Sequence, residues 1–185
     1  MFKQTTEEEL MQLIVDCRAE KRRAQHKLFK LFYEDVMAVC MRYAKDEEEA
    51  QDMLSEGFIK IFANLDKFAE GSFKAWVKKV AVNTAIDYQR KYKTLTQMTD
   101  IEEVSEVEIQ SYDENTALSK ISTDELLNMI QQLPPTTRSV FNLYVFDGYP
   151  HAEIAKMLQM KEGTSHWHLN FARTKLKEMI HETTK

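Results

Sequence analysis

Residues that break helices are scarce in this sequence, and that scarcity restricts the possible folds more than any other feature. The 185 residues include only 4 glycines and 3 prolines, whereas Leu, Met, Ala, Lys, Glu and Gln are plentiful. Folds rich in β-turns need glycine and proline at those turns, and most of the plentiful residue types favour helices. The sequence therefore predicts an all-α protein.

Apolar residues at helical spacing predict four helices in the N-terminal half of the chain. Thr6 and Glu9 form a capping-box pattern that starts the first helix. Asp46 can cap a third helix and Ser72 a fourth, which runs to about Tyr92. The inner faces of the second and third helices are Leu28, Phe32, Val36, Val39, Tyr43, Ala50, Met53, Leu54, Phe58, Ile61 and Leu65. These helices together predict a bundle.

The pattern changes at residue 94. From there to residue 122 the helical periodicity fades and Thr, Ser, Asp and Glu become frequent, which is typical of a linker. Four more helices follow, and the last two, about 150–158 and 162–182, are separated by three residues, as in a helix-turn-helix. We therefore predict two small helical domains, an N-terminal helical bundle (1–93) and a C-terminal helix-turn-helix domain (123–185), joined by a flexible acidic linker (94–122).

Charge is sorted into blocks along the chain, although the net charge is only -5. Residues 18–30 carry six positive side chains against Glu20, and residues 69–93 carry six against two acids. Residues 46–56 hold six acids and no base, and residues 94–125 hold nine acids and a single Lys. This segregation indicates separate basic and acidic contact surfaces.

The two cysteines, Cys17 and Cys40, lie on apolar helical stripes without a CxxC partner. That placement favours packing in a reducing cytoplasm over a disulfide or a metal site. His166 and His168 are two residues apart and point to different faces, so they are poor metal ligands. No apolar run approaches the roughly 20 residues that span a membrane. We expect a soluble, cytoplasmic protein with no membrane insertion, metal or cofactor.

Three segments of the sequence resemble one family. Residues 133–180 (LPPTTRSVFNLYVFDGYPHAEIAKMLQMKEGTSHWHLNFARTKLKEMI) resemble the promoter-binding C-terminal domain of sigma factors. Residues 46–62 (DEEEAQDMLSEGFIKIF) resemble their polymerase-binding helix, and residues 71–91 (GSFKAWVKKVAVNTAIDYQRK) resemble their promoter-melting helix. With no further domain between the halves, the chain resembles bacterial sigma factors of the extracytoplasmic-function type, group IV of the sigma-70 superfamily.

The resemblance implies a dissociable sigma subunit that binds core RNA polymerase and directs it to promoters. Asp52, Glu56 and Phe62 would dock on the clamp helices of the largest polymerase subunit, while Phe58 on the same helix is expected in the core. The side chains implied at the minus-10 element are Lys74, Lys78, Lys79, Asn83, Arg90 and Lys91. The loop 66–72 would help to form the pocket for a flipped base. Trp76 lies on the apolar stripe of its helix, so we expect it to pack in the core.

For the minus-35 element, the recognition helix is expected to turn Leu169, Ala172 and Leu176 inward. The side chains then left for DNA are His166, Trp167, Asn170, Phe171 and Arg173. The chain departs from the family here, because His166, His168 and Phe171 stand where Lys or Arg is usual. It also has Gln159 where glycine is common in the turn, which predicts a strained left-handed residue.

The resemblance also implies an anti-sigma protein as a partner. Three other classes remain as alternatives. The sequence has no nucleophile elbow, phosphate-binding glycine loop or HExxH motif, so we do not predict an enzyme. A helix-turn-helix transcription regulator that binds DNA alone would leave the acidic helix and the Asn83 helix without a role. A protein-only adaptor would make no contact with DNA.

Overall fold

A computed structural model describes residues 6–96 and 122–183 of the chain. In those residues all regular structure is helical, which confirms the all-α prediction. The elements are α1 (Glu7–Arg18), α2 (Arg22–Tyr43), α3 (Glu47–Ala63), a 3-10 helix (Leu65–Lys67), α4 (Phe73–Thr96), α5 (Thr123–Gln131), α6 (Pro135–Val145), α7 (His151–Leu158) and α8 (Glu162–Thr183). Most of the predicted linker, residues 97–121, lies outside the described residues.

The chain divides into two compact units, Met1–Cys40 with Glu47–Ala85 and Met41–Asp46 with Ile86–Lys185. In the first unit, the capping box of α1 is present as predicted. The Thr6 amide donates to the Glu9 carboxylate at 3.0 Å, and the Glu9 amide donates to the Thr6 hydroxyl at 3.2 Å. These bonds satisfy two amides that no helical carbonyl can reach, so α1 begins where the sequence predicts.

The core of the first unit comes from the apolar faces of α2, α3 and α4. Its buried side chains include Leu28, Phe32, Val36, Val39, Ala50, Met53, Leu54, Phe58, Ile61, Phe73 and Val77. The prediction was wrong in two details: Leu65 belongs to the 3-10 helix, and α4 continues past Tyr92 to Thr96. Cys17 and Cys40 are buried free thiols, which confirms their role in packing. Burial raises the pKa of Cys17 to about 11 and that of Cys40 to about 12.

In the second unit, α5 to α8 pack around one apolar core. Ser122 caps α5 through a capping box with Glu125, and α5 begins at Thr123. Pro135 occupies the first turn of α6, where its missing N–H costs nothing. The predicted inward face of α8 is confirmed, since Leu169, Ala172 and Leu176 are all buried. On α7, Ile154 and Ala155 are buried, whereas Leu158 is partly exposed.

Arg138 is a buried cation of the second unit and is 4% exposed. Its guanidinium donates to the carbonyl oxygens of Tyr43 at 2.9 Å, Gln131 at 2.6 Å and Leu133 at 3.0 Å. Beside it, the Asn142 amide donates to the Arg42 carbonyl at 2.6 Å. These donors satisfy carbonyl groups at the ends of α2 and α5, which lack donor partners within their own helices.

Gln159 ends α7 in the left-handed conformation, with φ 55 and ψ 47. The strain predicted from the sequence is therefore present. We expect Gln159→Gly to raise the free energy of unfolding by about 0.5 kcal/mol, because glycine adopts this conformation without a Cβ penalty but loses more chain entropy. Gln132 ends α5 in a right-handed conformation (φ -80, ψ -14) and is the matched control. Thermal unfolding should show that Gln132→Gly destabilises the protein; stabilisation of equal size at both sites would contradict the assignment.

Candidate polymerase and nucleic-acid interfaces

The exposed face of α3 carries the predicted polymerase-binding acids. Asp52 is exposed, and Glu56 is partly exposed one turn further on, 3.5 Å from Lys60. Phe62 is half-buried at the flank, where its ring centroid lies 6.0 Å from that of Phe58. Phe58 itself is 4% exposed, which confirms that it belongs to the core. The structure thus places Asp52 and Glu56 together on the surface, with Phe62 at its edge.

Ile59 was missed in the sequence and lies on this same face. It is 68% exposed and follows Asp52 by seven residues, so both side chains project from one side of α3. The buried positions of α3 are 50, 53, 54, 57, 58 and 61, and Ile59 falls outside that spacing. An apolar residue out of register with the buried face is the signal that could have identified it.

The minus-10 candidates on α4 lie on more than one side of the helix. Lys79, Asn83 and Arg90 follow one another at intervals of four and seven residues and share one side of the helix. Lys74 and Lys78 project from a different side, and Lys74 pairs with Asp35 of α2 at 2.8 Å. Lys91 is exposed. The helix therefore presents Asn83 between two cations, with the remaining lysines around its circumference.

The loop between α3 and α4 is held in place by Arg18, which the sequence suggested only as part of a basic block. Its guanidinium donates to the Leu65 carbonyl at 2.8 Å and to the Phe68 carbonyl at 2.6 Å. The ion pair with Asp66 spans 3.5 Å and involves a side chain that is 89% exposed, so it contributes little. The backbone bonds make Arg18 a positioning residue for the loop.

We expect Arg18→Gln to lower the free energy of unfolding by about 1–2 kcal/mol, because two partly buried carbonyl groups lose their charged donor. Lys21→Gln is the matched control, since it removes a cation that pairs with Asp16 at the surface. Urea denaturation of both variants measures the difference. Equal stability of the two variants would show that Arg18 does not hold the loop.

An aromatic cluster lies where the loop meets α4. Trp76 is half-buried and stacks on Phe73 with ring centroids 5.4 Å apart, and its centroid lies 5.9 Å from that of Phe68. Phe68 and Phe73 are both buried. These contacts agree with the expectation that Trp76 packs in the core, since aromatic rings stabilise one another at such distances.

The five minus-35 candidates on α8 also divide into two groups. His166, Asn170 and Arg173, at intervals of four and three residues, are exposed on one face. Trp167 and Phe171 lie on an adjacent side of the helix and are half-buried. Their rings stack on each other with centroids 5.1 Å apart. The first group is therefore open to solvent, whereas the stacked rings are partly covered.

The His166 ring rests on a buried neighbour that the sequence did not reveal. His151, at the start of α7, is 8% exposed and stacks on His166 with centroids 3.7 Å apart. Its Nδ1 lies 2.8 Å from the hydroxyl of buried Ser165. The surface of α8 around His166 is therefore built partly from α7.

None of the helices within 6–96 and 122–183 combines the length and the apolar character needed to cross a membrane.

Comparison with known proteins identifies the family. Residues 28–94 match the family Sigma-70 region 2, and residues 123–176 match Sigma-70, region 4. The chain is 26% identical over 171 residues to the RNA polymerase sigma-H factor of Pseudomonas aeruginosa, covering 86% of this chain and 87% of that protein. It is 27% identical over 162 residues to the ECF RNA polymerase sigma factor SigW of Bacillus subtilis, covering 82% and 86%.

Among solved structures, the fold is similar to that of the sigma factor RpoE from Bartonella quintana in its co-crystal with the anti-sigma factor NepR. The TM-score is 0.52 at 20% identity, over 84% of this chain and 96% of that one. The two matched regions take in most of α2 to α4 and α5 to the middle of α8. The chain therefore belongs to the sigma-70 family as a sigma factor of the extracytoplasmic-function type, which directs promoter-specific transcription.

Proposed function

We propose that this sigma factor binds core RNA polymerase through the exposed face of α3, reads the minus-10 element with α4 and reads the minus-35 element with α8. The observation that carries the proposal is the separation of charge between neighbouring helices of the first unit. The exposed side of α3 carries acidic side chains toward its N-terminal end, whereas α4 exposes lysines around Asn83. An acidic face repels DNA phosphates and suits a basic protein surface, while a cationic face does the reverse.

On α3, the acids and the exposed apolar residue have different tasks. Asp52 and Glu56 steer the encounter with the basic side of the polymerase clamp helices. Ile59, at 68% exposure, supplies apolar surface that is buried on binding, and Phe62 borders it. Interfaces of this kind gain most of their affinity from a few buried apolar anchors surrounded by polar contacts.

On α4, Asn83 is the proposed base reader, because its amide can both donate to and accept from a base edge. Lys79 and Arg90 on the same face contact phosphates, and so do Lys74, Lys78 and Lys91 around the helix. The loop before α4, held by Arg18, lies next to this surface in the chain and is proposed to receive the flipped base. A base enters such a pocket only when the strands have separated, so this unit acts in melting.

On α8, we propose that His166, Asn170 and Arg173 enter the major groove. Asn170 can pair with adenine, and Arg173 can contact guanine or a phosphate. Trp167 and Phe171 lie at the border of this face, where ring edges can contact thymine methyl groups or sugars. With histidine and phenylalanine in place of cations, the phosphate contribution of this helix is weaker at neutral pH.

The proposed partners are core RNA polymerase, promoter DNA and an anti-sigma protein. The sigma factor RpoE of Bartonella quintana was crystallised with the anti-sigma factor NepR, and a related protein is expected to control this chain. We propose that the protein acts by binding alone, without catalysis of its own, and that it works in the cytoplasm, where polymerase and promoters are found.

Run-off transcription with purified core polymerase on a genomic promoter library tests this function. Specific transcripts are expected only when the protein is added. A gel shift with the same promoters distinguishes a sigma factor from a stand-alone transcription regulator, because the regulator would bind its DNA site without polymerase. Tight promoter-specific binding by the free protein, without transcripts in the presence of core enzyme, would contradict the proposal.

A further inference from the structure

Three aromatic rings from three helices are stacked at the recognition face of the second unit. The His151 ring of α7 lies between Tyr144 of α6, at a centroid distance of 4.6 Å, and His166 of α8, at 3.7 Å. The interplanar angles are 25° and 29°, so the rings are nearly parallel. The outermost ring of the stack, His166, belongs to the face proposed to read DNA.

The inner ring has a defined position because two elements hold it. His151 is 8% exposed, and its Nδ1 shares a hydrogen bond of 2.8 Å with the hydroxyl of Ser165, which is fully buried. His166, by contrast, is exposed, and 58% of its side chain is open to solvent. An exposed side chain ordinarily samples several rotamers, and stacking on a fixed ring restricts them before DNA binds.

The charged groups around the stack determine how many protons it can take up. Glu162 of α8 lies 4.0 Å from the His166 ring, Arg173 of α8 lies over Tyr144 at 6.0 Å, and Glu153 is on α7. Two imidazolium rings 3.7 Å apart would repel each other strongly. Burial, followed by the proximity of His166, lowers the pKa of His151. The two rings are therefore not protonated at the same time, and the stack takes up at most one proton.

We propose that His151 is a positioning residue for His166 and that the stacked pair makes recognition of the minus-35 element stronger when it takes up one proton. This inference rests on the proposed function of α8. A neutral imidazole has one N–H donor and one acceptor, whereas an imidazolium has two donors and a positive charge. Phosphates and the O6 and N7 atoms of guanine are acceptors, so they favour the charged ring.

The direction of the pH dependence follows from this preference. If DNA binds the protonated pair better, binding takes up protons and the affinity rises as the pH falls. Between pH 8 and pH 6, the range in which histidine side chains ordinarily change charge, we expect about a fivefold gain in discrimination. Discrimination here is the affinity of the holoenzyme for a promoter with its minus-35 element divided by its affinity for the same promoter with that element replaced.

The test measures this ratio by competition binding at several pH values with reconstituted holoenzyme. The ratio cancels pH effects that arise in the polymerase or in the rest of the promoter. His166→Gln should remove the pH slope. His181→Gln is the matched control, since it removes an exposed histidine further along α8 and should leave the slope unchanged.

His151 is tested with two variants that keep or remove the ring. His151→Ala keeps the His166 ring but removes the ring on which it stacks, and should reduce the ratio at every pH and flatten the slope. His151→Phe retains the stack without a titratable group and should restore both. Thermal unfolding of each variant at both ends of the pH range monitors the fold, and the Phe variant tests the stack even if the Ala variant is unstable.

Each result has a distinct meaning. A wild-type ratio that is well above one but independent of pH would overturn this inference and leave the proposed function intact. The same holds if His166→Gln keeps the wild-type slope, or if His151→Phe behaves like His151→Ala while remaining folded. A ratio of one at every pH would show that α8 does not read the minus-35 element, and both proposals would then be wrong.

Discussion

The double variant Asp52→Lys with Glu56→Lys is expected to bind core RNA polymerase at least about 100-fold more weakly than the wild type, a loss of about 2.7 kcal/mol or more. Both acids are at least partly exposed and lie one turn apart on α3, so the substitutions reverse the charge of one compact surface. Lysines there would face the basic clamp helices, and like charges across an interface cost several kcal/mol. Fluorescence anisotropy of labelled sigma factor with core enzyme gives the affinity.

Glu178→Lys with Glu182→Lys is the matched control for the charge reversal. Both residues are exposed on α8, are also four residues apart and give the same change in net charge. That variant should bind core polymerase as the wild type does. Ile59→Ala, which removes apolar surface from α3 without changing the charge, should also weaken binding to core polymerase, but by less than the double variant. Unchanged affinity in both α3 variants, with the fold intact, would show that polymerase binds elsewhere.

Asn83→Ala is expected to slow open-complex formation about tenfold while changing closed-complex affinity less than about twofold, since one good contact between a side chain and a base contributes about 1–3 kcal/mol of discrimination. The side chain is exposed on α4, and its proposed partner is a base that becomes accessible only after the strands separate. Permanganate footprinting follows the melted region, and gel shifts at low temperature measure the closed complex.

The control for Asn83 is Asn128→Ala on α5, which removes another exposed helical amide. Alanine favours helix more than asparagine does, so neither substitution should unfold its helix. Asn128→Ala should melt the promoter at the wild-type rate. If Asn83→Ala also leaves the footprint unchanged, its amide does not read the minus-10 element, and the two cations beside it would serve only phosphate contact.

The sites could be predicted from the sequence as far as they depend on motifs and helical spacing. The polymerase, minus-10 and minus-35 residues were placed on three helices, and the structure puts most of them on exposed surfaces. Their roles remain predictions. Ile59 and His151 were not predicted as site residues, for different reasons. Ile59 was visible as an apolar residue out of register, whereas His151 gains its significance only from a ring on another helix.

Two arginines show the limit of reading charge from sequence. Arg18 stands in a basic block that suggests contact with nucleic acid, yet it donates to carbonyl groups 47 and 50 residues away. Arg138 lies in a helix with an apolar stripe and is buried against carbonyls from α2 and the end of α5. A long side chain can bind a partner at the protein surface or donate to a backbone carbonyl that is distant in sequence. The neighbouring residues in the sequence do not distinguish these two roles.

Local signals in the chain were enough to place nearly all the described helices and the faces that they bury. Caps such as Thr6 with Glu9 and stripes of apolar residues act within one or two turns, so they can be recognised without knowing the fold. The packing of the helices was needed to show that Arg18 holds the loop before α4 and that His166 rests on His151. Such partners are set by helices that are distant in sequence, and a single contact of this kind leaves no periodic trace in the chain.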